Sequence, residues 1–113
     1  MDIKNLTQHP PTDQQVGVTP VDPTAVVLLN FTAPPSVEEI NGRAVGLASL
    51  ATGYASAMVG GAPYLMGPLC AALKSIGVQP LFSFTERKSV EKTLLDGSVV
   101  KTSVFAHVAW IAV

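Results

Sequence analysis

The chain has 113 residues, a formal net charge of −1, 48% apolar residues and 13% charged ones. That length gives one domain that can bury a core without metal or disulfide staples, and the composition excludes a disordered chain. No basic tail or stripe runs through the sequence, which argues against duplex nucleic acid as a partner.

Ile3–Thr7 alternates and then meets His9-Pro10-Pro11, so it predicts a short first strand. Thr12-Asp13-Gln14-Gln15 has the form of a capping box, which predicts a short helical turn ending at Gly17. Asp22-Pro23 reads as an N-cap followed by proline at the first helical position. Ala25–Phe31 is then a short helix, although Val26-Val27-Leu28-Leu29 suits a strand equally well. Pro34-Pro35 breaks the chain, and Ser36 with Glu39 forms a second capping box. Behind it Val37, Ile40, Ala44, Leu47, Ala48 and Ala51 keep helical spacing, which predicts a helix to about Thr52 with Gly53 as its stop. Ala55–Val59 is short and apolar, as in a strand buried on both faces. Tyr64–Ile76 predicts a helix with Gly77 just past its end. Pro68 should kink that helix or mark where its regular part begins. Gln79–Thr85 reads as a strand, and Asp96-Gly97 between Ser89–Leu95 and Ser98–Thr102 as a hairpin. Val104–Val113 supplies the last strand.

This order predicts an α/β, Rossmann-like three-layer sandwich. Its central sheet is mainly parallel, with a C-terminal antiparallel β-hairpin at one edge. The uncharged run from Ala44 to Leu73 is interrupted by Gly53, Gly60, Gly61, Pro63, Gly67 and Pro68. It reads as two buried elements joined by a turn, and no membrane span is expected. The N-terminal stretch has no apolar region of the kind a signal peptide needs. The single cysteine, Cys70, cannot form an internal disulfide, which fits a cytoplasmic location, and it reads as a packed small hydrophobe. So little charge leaves too little polar surface for a comfortable monomer, so a homodimer is expected.

Parallel strands bring their carboxyl ends to one edge, where open α/β sheets bind ligands. Three polar clusters follow the three expected parallel strands: Asn5 to His9, Gly60 to Tyr64, and Ser83 to Ser89. Asn5, Thr7 and His9 are candidates to read a base, a ribose or a carboxylate. Gly60, Gly61 and Ala62 would hold phosphate through backbone N–H groups at the following helix. Ser83, Thr85, Arg87 and Lys88 would orient and neutralise it. The expected partner is a small anionic ligand, above all a nucleotide. With two histidines in the chain a multi-histidine metal site is excluded, and no cofactor is expected. A phosphodiesterase at the same site, with His9 or His107 moving protons, and a ligand-free interaction module are the competing readings.

The strings "NLTQH", "GGAPYLM", "FSFTERKSVE" and "DGSVVK" together resemble a family of small, mostly uncharacterised proteins from bacteria and their phages. That family carries no catalytic assignment over. The opening "NLTQHPPTDQQ" is also similar to that of small CRISPR-associated Rossmann-like proteins, minimal relatives of the CARF domain. That likeness implies a homodimer that binds a cyclic oligonucleotide, with Asn5, Thr7 and His9 lining the site beside Gly60 and Gly61. With no attached effector domain, such a chain would be a stand-alone binder or a ring nuclease.

Overall fold

A computed structural model describes residues 2–113. Four strands form one sheet in the order β1-β2-β3-β4: β1 (Ile3–Leu6), β2 (Ser56–Val59), β3 (Gln79–Thr93) and β4 (Val99–Ala112). The first three are parallel and β4 returns antiparallel to β3. Helices α1 (Pro23–Leu29), α2 (Val37–Leu50) and α3 (Pro63–Ser75) fill the crossovers. This is the expected α/β architecture with its C-terminal hairpin.

Local chemistry explains the helix ends. The Thr24 N–H donates to the Asp22 carboxylate at 2.9 Å, and Pro23 opens α1. That N-terminus decides for helix over strand in the Val-Val-Leu-Leu run. The Glu39 N–H donates to Ser36 Oγ at 3.1 Å and starts α2. Gly77, with φ of 77°, closes α3: its N–H donates to the Lys74 carbonyl and that of Val78 to the Leu73 carbonyl. Pro68 lies inside α3. Thr12–Gln15 makes a turn and not a helix, although Gln15 does reach back to the Thr12 N–H.

Strand order never reverses along β1, β2 and β3, so right-handed crossovers put every helix on one face. One core results. It joins Leu6, Ala57 and Val59 of the sheet to Ala25 and Leu29, to Ala44, Leu47 and Ala48, and to Leu65, Leu69 and Leu73. Side chains alternate along a strand, so Asn5, Met58 and Ser83 face the other way. That face is covered by irregular chain. Residues 8–18 cross it as a strap, and Val18 bridges Ile3 at the outer edge of β1. The three layers are therefore helices, sheet and strap.

The hairpin is longer than its sequence pieces suggest. The strand predicted for Gln79–Thr85 continues through the charged run Glu86-Arg87-Lys88 to Thr93. A register shift between Phe84 and Thr85 marks where the two strands leave the body. Beyond it most residues of both strands are exposed. The principal extents are 56 × 36 × 23 Å.

Candidate functional site at the carboxyl edge of the sheet

The carboxyl ends of β1, β2 and β3 converge on a cavity of about 480 Å³. A reversal of strand order would open a crevice between helices on opposite faces, and this sheet has none. The cavity instead forms between the sheet's helix-free face and the strap. Met58 gives it an apolar floor, Phe105 an aromatic wall, and His9, Pro10 and Thr12 its outer lip; Phe82 borders it but packs against the core on the helix side.

Asn5 does not line this cavity. It is fully buried and its side chain is engaged by the turn that follows β1. Its Oδ1 accepts from the Thr7 N–H at 2.9 Å and from the Thr7 hydroxyl at 2.7 Å. Its Nδ2 donates to the His9 carbonyl at 2.9 Å. Asn5 therefore shapes the loop that presents Thr7 and His9, and both of those do line the cavity.

The glycine pair divides its roles. Gly60 lines the cavity, and a Cβ there would sit 3.5 Å from Thr7 Cγ2, an ordinary contact. Gly61 has φ of 150°, where side chains are strained, and a Cβ there would meet Leu29 and Met66 on the helix side. Ala62 is the N-cap residue of α3 and is likewise outside the lining. A second, wider cavity of about 640 Å³ lies on that side, between the loop Phe31–Pro35 and Tyr64. Neither cavity is lined by an Asp, Glu, Lys or Arg side chain, and the polar side chains of this one are Thr32 and Tyr64. The edge cavity, with its converging polar groups, is the better candidate despite being smaller.

From β3, Ser83 and Thr85 point into the cavity, and Arg87 follows on the same face by alternation. The Arg87 guanidinium stands 5.3 Å from the centre of the Phe105 ring, at the rim. Lys88, like Asn5, Gly61 and Ala62, lies outside the lining. Continuing the strand through 86–88 turns it to the opposite face, away from the cavity.

Two residues prominent in the geometry come from segments the sequence does not connect. Gln15 Oε1 accepts from the Thr12 N–H at 3.0 Å, which fixes the amide's orientation. Its Nε2 then donates to Ser83 Oγ at 3.3 Å, 68 residues away. Ser83 is in turn hydrogen-bonded to His107 Nδ1. Because Gln15 supplies the donor on one side, the serine hydrogen is free to point at Nδ1. Trp110 packs against His107 with ring centres 4.4 Å apart and planes tilted by 50°. The strap thus ties directly into a Ser–His pair at the cavity.

Elsewhere the ionisable groups serve structure. The Lys4 ammonium, 2.9 Å from the Asp22 carboxylate, together with the Thr24 N–H, holds that carboxyl below its ordinary value. Burial pushes the Cys70 thiol up, as for a packed side chain and not a nucleophile. Among the described residues no group of three or more His, Cys, Asp or Glu side chains could hold a metal ion. Among the same residues no helix is long and apolar enough to cross a membrane.

No curated protein and no solved structure matches the chain. One family model does match, over residues 1–111, and so takes in the strap, the cavity and nearly all of the hairpin. The chain belongs to the Uncharacterized protein MJ1673 family.

Proposed function

We propose that this chain binds a small anionic ligand, above all a nucleotide, in the cavity at the carboxyl edge of its sheet. One observation carries the reading. Polar groups from well-separated segments converge on one apolar-floored cavity: Thr7, His9 and Gln15, then Gly60, then Ser83 and Thr85. Its volume lies within the usual range for small-molecule sites. Phe105 offers a ring face on which a base can stack. Arg87, on the rim beside that ring, is placed to pair with phosphate by two charge-assisted bonds. Thr7, His9, Ser83 and Thr85 remain ligand residues in this reading, with Gly60 allowing close approach. Asn5 supports them from behind, Gly61 and Ala62 set the turn, and Lys88 has no part. The chain would act as a cytoplasmic homodimer of bacterial or phage origin, and a cyclic oligonucleotide is one candidate ligand.

The hydrogen-bonded Ser83–His107 pair favours one alternative, turnover of a bound nucleotide at the same site. A thermal-shift panel of mono-, di- and cyclic nucleotides, followed by mass spectrometry of the ligand, separates the readings. A site held at 100 times its Kd stabilises the fold by about 2.7 kcal/mol, a shift of several degrees here. A shift with intact ligand is the expected result. A shift with ligand breakdown makes the chain a nucleotide phosphodiesterase. No shift across the panel overturns the nucleotide reading and leaves a ligand-free interaction module.

A further inference from the structure

We infer that the outer edge of β4 pairs with the β4 of a second copy of this chain, antiparallel about a two-fold axis at Thr102. The inference does not rest on ligand binding.

β2 pairs with β3 only at Gln79–Leu81, and among the described residues no strand lies beyond β4. Past the register shift at Phe84/Thr85 the arm is therefore a ribbon of two strands with two free edges. Such a ribbon is marginal in water by itself, and further strands stabilise it. Its edges are unequal. The β3 edge carries Glu86, Arg87, Lys88, Glu91 and Lys92, charges of the kind that keep an edge strand from pairing. From Val99 to Ala106, β4 has Lys101 as its one charged side chain and no proline. Its apolar residues are exposed on both faces: Val99 and Phe105 at 57% and 65% on the cavity face, Val100 and Val104 at 40% and 45% on the helix face. Continuing the sheet at this edge shelters both rows at once, which a partner laid on one face cannot do.

The backbone fixes which residues can pair. The Leu94 N–H donates to the Ser98 carbonyl at 2.8 Å, so that pair is hydrogen-bonded. Bonded pairs then alternate down the ladder at Lys92/Val100, Val90/Thr102 and Lys88/Val104. The N–H and C=O groups of Val99, Lys101, Ser103 and Phe105 point the other way, out of the sheet. About a two-fold axis at Thr102, Val99 meets the partner's Phe105 and Lys101 meets the partner's Ser103, so these four pair among themselves. Thr102 faces its own copy, and Val100 faces the partner's Val104. Threonine–threonine and aromatic–β-branched pairs are among the favoured cross-strand contacts. One residue away, an axis at Lys101 sets two ammonium groups opposite each other. An axis at Ser103 sets Val99 opposite His107, next to the register shift. The pattern is thus complementary to itself, which selects a copy of the same chain as occupant. The contact is isologous, and the charged β3 edge stops the assembly at two chains.

The test is the mass of the full-length chain by light scattering and sedimentation, at several concentrations, followed by cross-linking. The wild type should be a dimer. Ser103→Pro removes an outward N–H, and Thr102→Lys sets like charges on the axis. Each should weaken association at least tenfold with unchanged far-UV circular dichroism. Ser89→Pro, which removes an outward N–H from the β3 edge, should remain a dimer. Facing residues of an unbonded antiparallel pair lie within disulfide reach, so Thr102→Cys should give a covalent dimer on mild oxidation. Ser103→Cys, set diagonally across the axis, and the wild type, whose one thiol is Cys70, should not. A monomeric wild type overturns the inference and leaves a strand of another protein to cover the edge. Dimers that survive both Ser103→Pro and Thr102→Lys, or that dissociate only in Ser89→Pro, overturn the choice of edge. Cross-linking through Ser103→Cys and not through Thr102→Cys overturns the register. Having two disrupting variants guards against one that fails to fold.

Discussion

Gly60 and Gly61 are neighbours with different constraints. At Gly60 a Cβ meets only Thr7 at ordinary contact distance, on the cavity side. Gly60→Val should therefore fold, and its bulk should weaken nucleotide binding at least ~10-fold, or ~1.4 kcal/mol. Calorimetric titration checks this. At Gly61 the backbone itself is the obstacle, with φ of 150°. Gly61→Ala should cost about 1–3 kcal/mol in urea unfolding and leave the ligand contacts in place. Asn5 belongs with Gly61 as a residue that builds the site from behind. Asn5→Ala strands the buried Thr7 N–H and leaves the His9 carbonyl only the Thr7 hydroxyl, 3.3 Å away. Each stranded buried group costs about 1–3 kcal/mol, so the variant should unfold at clearly lower urea. The Lys4–Asp22 pair gives a pH signature. The Asp22 carboxyl is held below its ordinary 3.8, so its stabilisation is full above that value and is lost as pH falls through the lower folded value. Asp22→Asn keeps an N-cap acceptor but removes the charge. The stability gap between wild type and variant should be present at pH 7 and close on acidification below 3.8.

At the scale of elements, end signals were legible and surroundings were not. Asp22-Pro23, Ser36 with Glu39, Gly77 and Asp96-Gly97 each act within a few residues, and each sits where its local chemistry requires. The strap is different. Thr12–Gln15 carries a capping-box pattern, and Gln15 makes the back-bond. No helix follows, because residues 17–19 are drawn into pairing with β1. The charged run Glu86-Arg87-Lys88 resembles a solvated loop. It is strand because β4 pairs with it along its whole length while both faces stay in water. That one continuation decides which basic residue reaches the site: Arg87 falls on the cavity face and Lys88 on the other. Within α3, Pro68 breaks the backbone ladder in the helix that follows the glycine pair. Pro68→Ala should raise stability, by up to ~3 kcal/mol and less where the helix has relaxed around the ring. Thermal unfolding measures it directly.

The whole molecule combines a packed α/β body with an arm that has no core of its own. The sequence order of elements was enough to place the three clusters on one edge, since parallel strands of unreversed order leave no other arrangement. It could not show that the cavity depends on the strap. Gln15, Ser83 and His107 meet only through tertiary packing, across separations no motif records. Nor could the sequence show the arm's two faces, because the strand read from it stops at Thr85, eight residues short of the Thr93 at which β3 ends. The body supplies the core and most of the cavity, and the arm adds Thr85, Phe105 and, at the rim, Arg87.

The central question for this molecule is whether ligand meets the chain at the carboxyl edge. The most direct measurement is a set of amide nitrogen–proton correlation spectra, recorded while adenosine monophosphate and then a cyclic oligoadenylate are titrated in. Saturable shifts centred on Thr7, Gln15, Gly60, Ser83 and Thr85 are the predicted result. Absence of shifts at that edge, or shifts confined to Phe31–Pro35 and Tyr64 around the wider cavity, would contradict it.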